Sequence, residues 1–213
     1  KDISKIKKYI NKNHTIIIRS SIYPGTCEKV KKIFKNVNNN ISYCPERVVQ
    51  GKTLEELPKL PQIISGINKN SINKAKKIFN LICKKTIVTS ILEAELIKLS
   101  SNAWRYINFS ISNQFYMICE KYNINFDQLR NKMIEGYDRN KDMPKAGFAA
   151  GPCLFKDTAQ LNSFLKNEFT LGKTATKINQ NFPKFIYEII YKKNKSKLFK
   201  KKIGILGMSF KSD

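Results

Sequence analysis

Histidine is almost missing from this chain. His14 stands alone among 213 residues, and no Cys-x-x-Cys pair accompanies it, which excludes a zinc ligand set. The five cysteines (Cys27, Cys44, Cys83, Cys119 and Cys153) are odd in number and scattered, so a disulfide framework is also excluded. Unpaired thiols point to a reducing compartment, with the cytoplasm as the default. No apolar run reaches bilayer length, and the basic opening leads into no signal-peptide core, so no membrane segment is expected. Acidic residues are scarce, 16 against 40 basic ones, and the net charge is +24. Arginine is scarce too: only Arg19, Arg47, Arg105, Arg130 and Arg139 occur, although arginine is the better reader of phosphate and base edges. The lysines are spread along the chain among many Asn and Ile, a broad compositional bias that argues against a dedicated nucleic-acid role. A basic surface still attracts small anions such as nucleotides.

What is present alternates. Ile3 to Asn11 has helical apolar spacing, and Thr15 to Ser20 reads as a buried β-branched strand. After the turn at Pro24-Gly25, Cys27–Phe34 reads as a helix and Ile41–Cys44 as a second strand. Pro61–Gly66 and Thr86–Val88 are further strands, separated by a helix over Ser71–Cys83. Strands alternating with helices predict an α/β layer with a largely parallel sheet. From Ser90 the pattern changes. Ser90 and Glu93 fit a capping box, and apolar residues then recur at helical spacing to about Tyr122 with no Gly or Pro. Leu92, Leu96, Leu99, Ala103, Ile107, Ile111, Phe115 and Ile118 form one stripe. A second apolar side, with Trp104 and Phe109, marks a helix buried centrally, as in a subunit interface. Helices are predicted over Phe126–Glu135, Thr158–Lys166 and Thr174–Lys192, the last broken or kinked at Pro183. Lys201 to Lys211 reads as a new strand entering a glycine loop, so the chain is expected to be a fragment of a longer protein.

Cys153 stands apart from the other thiols. It follows a loop of small residues and precedes Lys156 and Asp157. A thiol is a useful nucleophile only as thiolate, and nearby charge is what produces one. The alternative is a buried structural cysteine beside a turn.

Four segments together resemble one family, the UDP-glucose/GDP-mannose (nucleotide-sugar 6-) dehydrogenases. They are Arg19 to Thr26, Tyr43 to Gly51, Glu93 to Ala103 and Gly151 to Asp157, with Gly204 to Lys211 matching the start of a third domain. The resemblance implies three parts: 1–89, the C-terminal part of a Rossmann-like NAD domain; 90–200, a helical central dimerisation domain; and 201–213, the first strand of a UDP-sugar domain. It implies NAD, a UDP-sugar substrate, a homodimer through the long helix, and a place in polysaccharide biosynthesis. The implied chemistry oxidises a C6 alcohol to a carboxylate in two hydride transfers, through a cysteine thiohemiacetal and thioester.

Roles follow by position. Cys153 matches the nucleophile. Lys98 and Asn102, one helical turn apart, match the groups that hold the oxyanion and position water. Asp157 matches a carboxylate that orients water, although it also reads as the N-cap of the following helix. Glu46 matches the acid near the reacting carbon, and the plain alternative is a surface carboxylate in a turn. Ser21, Gln50 and Lys156 fall on the cofactor side. Arg139, Phe148, Gly151 and Lys211 fall on the substrate side, joined there by Glu46, Lys98 and Asn102. Gln50 replaces a second acid common in the family, and Ala150-Gly151-Pro152 replaces its usual Gly-Gly-His or Gly-Gly-Tyr. Two rivals remain: a single-step 3-hydroxyacid or 6-phosphogluconate type of dehydrogenase, and a non-catalytic basic binding or dimerisation module. The 213 residues alone are expected to be inactive.

Overall fold

The structure, a computed structural model, describes residues 2–37, 40–49, 51–149, 151–194, 202 and 204. It divides into two compact units, Lys1–Ser101 and Asn102–Asp213. Apart from Lys202 and Gly204, the strand and glycine loop expected from Lys201 onward, with Lys211, lie outside the described residues, as does Gln50.

In the first unit, α1 (Asp2–Lys5) tightens into a 3-10 turn (Ile6–Tyr9) and stops at the extended Ile10. The single helix expected there does not form: Ile3 and Ile10 pack against the core at either end, while Ile6 and Tyr9 between them remain exposed. There follow β1 (Ile16–Ile18), α2 (Thr26–Phe34), β2 (Ile41–Tyr43), the one-turn α3 (Thr53–Glu56), β3 (Gln62–Gly66), α4 (Lys69–Phe79) and β4 (Thr86–Val88). The sheet order is β1-β2-β3-β4. β1 runs parallel to β2 with Ile18 opposite Tyr43, and β3 runs parallel to β4 with Ile64 opposite Val88. Between the pairs, β2 and β3 are antiparallel, so the sheet is mixed rather than largely parallel. The reversal has a local cause. A parallel crossover is usually made by a helix that carries the chain back, and among the described residues of the β2–β3 connection the helix is a single turn.

Apolar side chains close both faces of this sheet. Ile16, Val30, Phe34 and Ile41 seat α2, whereas Cys44, Ile64, Ala75, Phe79 and Cys83 seat α4. Cys27, Tyr43, Ile63 and Ala94 bring in the start of α5 (Ile91–Lys121). That helix begins as expected: Ser90 N–H donates to Glu93 at 2.9 Å and Glu93 N–H donates to Ser90 Oγ at 3.3 Å.

In the second unit α5 continues into α6 (Phe126–Ile134), a 3-10 turn (Asp138–Asn140), α7 (Pro152–Phe164) and α8 (Thr170–Asn194). Helix α8 runs unbroken through Pro183. Phe182 and Phe185, either side of that proline, both meet Tyr116 edge-on, at 5.7 and 6.4 Å between ring centroids. This packing holds the helix where the proline removes a backbone bond. None of the described helices is long and apolar enough to cross a membrane.

Candidate active site

The start of α7 decides where Cys153 lies. Gly151 has φ +93° and ψ 142°, a conformation open to glycine, and it forms the N-cap. Pro152 then takes the first helical position, where its missing N–H costs nothing. Cys153 is therefore the second residue of the helix and is exposed, unlike the four other cysteines, which are all buried. Free backbone N–H groups at a helix start favour anions, including a thiolate or a developing oxyanion.

The sequence places the helix start at Thr158 and so reads Asp157 as an N-cap. The structure corrects this. Because the helix opens at Pro152, Asp157 lies inside it, one turn beyond Cys153, and is fully buried. Its Oδ2 accepts a 2.6 Å hydrogen bond from Nδ2 of Asn102, itself buried on α5. Asn102 and Asp157, distant in sequence, thus form one polar pair beneath the Cys153 turn. Lys156, adjacent, is exposed.

The loop before α7 is held by its backbone. Asn113 Oδ1 accepts from Gly147 N at 2.8 Å, while Asn113 Nδ2 donates to Asn179 Oδ1 at 3.0 Å. Asn179 Nδ2 donates in turn to the Tyr106 carbonyl, also at 3.0 Å. Ser112 Oγ donates to the Pro144 carbonyl at 2.8 Å, and Arg130 Nε to that of Met143 at 2.9 Å. Phe148 is exposed and meets Phe182 edge-on. Asn113 and Asn179 escape sequence reading, since nothing in a polar residue on a helix says which loop it will hold.

Arg139 lies elsewhere in this unit. Its guanidinium sits 5.5 Å from the Tyr137 ring and donates to the Tyr137 hydroxyl, on the edge of a cleft of about 520 Å³ lined by Trp104, Arg105, Phe109 and Phe115.

Within the first unit, Lys98 is half-buried on α5, one turn before Asn102 in the same helix. Ser21, half-buried, and Glu46 follow the carboxyl ends of β1 and β2. These strand ends are knit together, because Glu46 N–H donates to the Arg19 carbonyl at 3.0 Å. Glu46 is ion-paired to Arg19, and its other oxygen accepts from the backbone N–H of Arg47 and Val48 at 2.9 and 3.1 Å. Burial pushes its pKa up, but Arg19 and the two amides outweigh it and hold the carboxyl below its usual range. Glu46 is thus a partly exposed carboxylate in the loop after β2, and it is paired rather than free. In α/β sheets ligands bind outside the carboxyl ends of strands, and β1 and β2 end side by side here.

Against known proteins, residues 1–83 match the NAD binding domain of the UDP-glucose/GDP-mannose dehydrogenase family, and residues 92–181 match its central domain. The chain is 32% identical over 221 residues to a UDP-N-acetyl-D-mannosamine dehydrogenase of Methanocaldococcus jannaschii, covering 100% of this chain and 49% of that protein. It is 27% identical over 224 residues to a UDP-glucose 6-dehydrogenase of Rickettsia bellii, covering 99% and 51%. It superposes with a TM-score of 0.81 on a solved UDP-D-ManNAc dehydrogenase of Pyrococcus horikoshii at 27% identity, covering 89% and 47%. The chain spans about half the length of the curated relatives it matches. Two domain models of one family, matched in order along a single chain whose strands β1 to β3 and long helix fall under them, leave one assignment: the chain belongs to the UDP-glucose/GDP-mannose dehydrogenase family.

Proposed function

We propose that the protein containing this chain is an NAD-dependent nucleotide-sugar 6-dehydrogenase that converts the C6 alcohol of a UDP-sugar to a carboxylate through Cys153. The observation that carries this is the arrangement at α7: an exposed thiol in the first helical turn, one turn from a buried Asp157 bonded to Asn102. A bound nicotinamide dinucleotide supplies the hydride acceptor, with Ser21, Gln50 and Lys156 on its side of the site. Loss of the hydroxyl proton and of a hydride from C6 to the dinucleotide would give the aldehyde; Cys153, as thiolate, then adds to its carbon, a C–S bond forming as the C=O π pair moves onto oxygen. Loss of a second hydride from C6 of that adduct, to a second molecule of NAD, with loss of a proton, would leave a thioester. Water then attacks the carbonyl carbon, the C–S bond breaks and the thiolate is restored. Lys98 and Asn102 stabilise the oxyanion, and Asp157 orients the attacking water by way of Asn102.

UDP-N-acetyl-D-mannosamine is the first substrate to test, since that name recurs among the relatives. We assign 1–89 to the NAD domain, 90–200 to the central domain and 201–213 to the start of the UDP-sugar domain. Glu46, Arg139, Phe148, Gly151 and Lys211 join Lys98 and Asn102 on the substrate side. The enzyme is placed in the cytoplasm, as a homodimer, supplying uronic acids to polysaccharide synthesis, and the 213 residues alone are inactive. The test is NADH counted per UDP-sugar consumed by the full-length protein. Two are expected from the wild type. Cys153→Ser is expected to lose at least a hundredfold in turnover while still binding UDP-sugar. One NADH per sugar, or unchanged turnover in the variant, would refute the cysteine route in favour of single-step oxidation.

A further inference from the structure

We propose that Arg19 is a positioning residue for Glu46, clamping it as the carboxylate at the carboxyl edge of the β1–β2 pair, so that it serves the reaction as a fixed negative charge and hydrogen-bond acceptor and not as a proton donor. The inference rests on the reading of Glu46 as a carboxylate of the reaction site. Its ground is that Glu46 is surrounded by donors. One oxygen takes the Arg19 guanidinium, and the other takes two backbone N–H groups of its own loop. These three donors fill three of the carboxylate's four lone-pair sites, and protonation would remove the charge that strengthens all three bonds.

Arg19 is itself held. Its guanidinium lies 4.9 Å from the Phe79 ring centroid on α4 and donates to Gln62 Oε1 at 3.4 Å on β3. Gln62 is fixed in turn, its Nε2 donating to the carbonyls of Pro45 and Ile63 at 3.2 and 2.8 Å. The clamp therefore joins the ends of β1 and β2 to the start of β3 and the face of α4. Other titratable groups around it leave its charge unopposed. Arg47 is directed to the Pro61 carbonyl at 2.6 Å. Burial pushes the Cys44 thiol up to about 11 and raises that of Cys83, so both stay neutral near pH 7. Arg19 and Glu46 keep 31% and 35% of their side chains exposed, so the carboxylate is clamped yet reachable. A pair so exposed contributes little to stability, and its effect belongs to position and charge.

The test titrates the Glu46 carboxyl carbon by NMR in the full-length protein, labelled with 13C in its glutamate side chains and assigned with Glu46→Gln. Arg19→Gln is expected to move the midpoint up by about 1–3 pH units, the range an adjacent arginine commands. Arg19→Lys is expected to recover part of that shift, with a melting temperature close to wild type in both variants. An unmoved midpoint in Arg19→Gln, or loss of folding in it, overturns the proposal, since the pair would then be idle or purely structural. Turnover separates the two readings. Wild-type rates in Glu46→Gln would refute the reaction-site role of Glu46 and the proposal with it. A slow Glu46→Gln beside an unmoved midpoint would refute the clamp alone.

Discussion

Glu93 and Asp157 are carboxylates with opposite surroundings, and each shows what a single residue can and cannot announce. Glu93 is exposed and closes the capping box of α5. Hydrogen bonds from the Thr89 hydroxyl and then from Ser90 bring its pKa down to about 2. The sign follows from linkage. A carboxyl depressed in the fold contributes stability above its unfolded value of about 4.3 and loses it as pH falls toward the folded value. Glu93→Gln is thus expected to lower the urea midpoint at pH 7, and the gap should narrow as pH falls from about 4.3 to about 2. A gap independent of pH would mean that the cap works through shape alone. This capping box was legible in the sequence, because its partners are three residues apart. Asp157 was not. Its partner Asn102 is on another helix, and its burial follows from a helix start at Pro152 that the small-residue loop concealed.

At the scale of elements, the long helix was readable from its spacing, but not how it is fastened to the sheet. Glu95 does the fastening. It is buried, and its two oxygens accept from Gly25 N at 2.7 Å and Cys27 N at 3.0 Å, at the N-terminus of α2. Gly25 takes φ +84° there, a left-handed conformation that suits glycine and turns its N–H toward the carboxylate. Burial and the Glu95 hydrogen bond together raise the Cys27 thiol, which stays neutral. Within the stripe of apolar residues Glu95 gave no signal, since a charge next to Ala94 and Leu96 reads as a solvated position. Glu95→Ala should leave two helix-start donors unsatisfied, at about 1–3 kcal/mol for each one orphaned. Glu95→Gln, which keeps an acceptor, should cost less. Chemical denaturation of the full-length protein measures both, and equal losses would mean that the cavity matters and the hydrogen bonds do not. The mixed sheet has the same lesson: strand positions were legible, while direction was set by a connection too short in helix to return the chain.

At the scale of the whole molecule, the sequence pattern marks α5 as apolar on more sides than one core needs, and the second unit leaves part of that surface uncovered. Trp104, Ile111 and Ile118 are 67%, 43% and 47% exposed, although they are large and apolar. They recur every seven residues, so they lie along one stripe of a helix, the pattern by which two helices pack together. The cleft lined by Trp104, Phe109, Ile111 and Phe115 opens beside it. An uncovered apolar stripe in a chain with net charge +24 has a specific difficulty: association must overcome like-charge repulsion, which salt screens. A homodimer through this stripe should therefore tighten as ionic strength rises, opposite to an assembly held by ion pairs. Ile111→Glu places a charge in the middle of the stripe, where an interface would desolvate it. Light scattering on the full-length protein should show a dimer for the wild type and a monomer for Ile111→Glu at the same concentration. Glu93→Gln, altered at an exposed cap of the same helix, should remain dimeric. A dimer that survives Ile111→Glu would move the interface to another face of the molecule, and a wild-type dimer that falls apart in salt would replace the apolar stripe with charge as its cause.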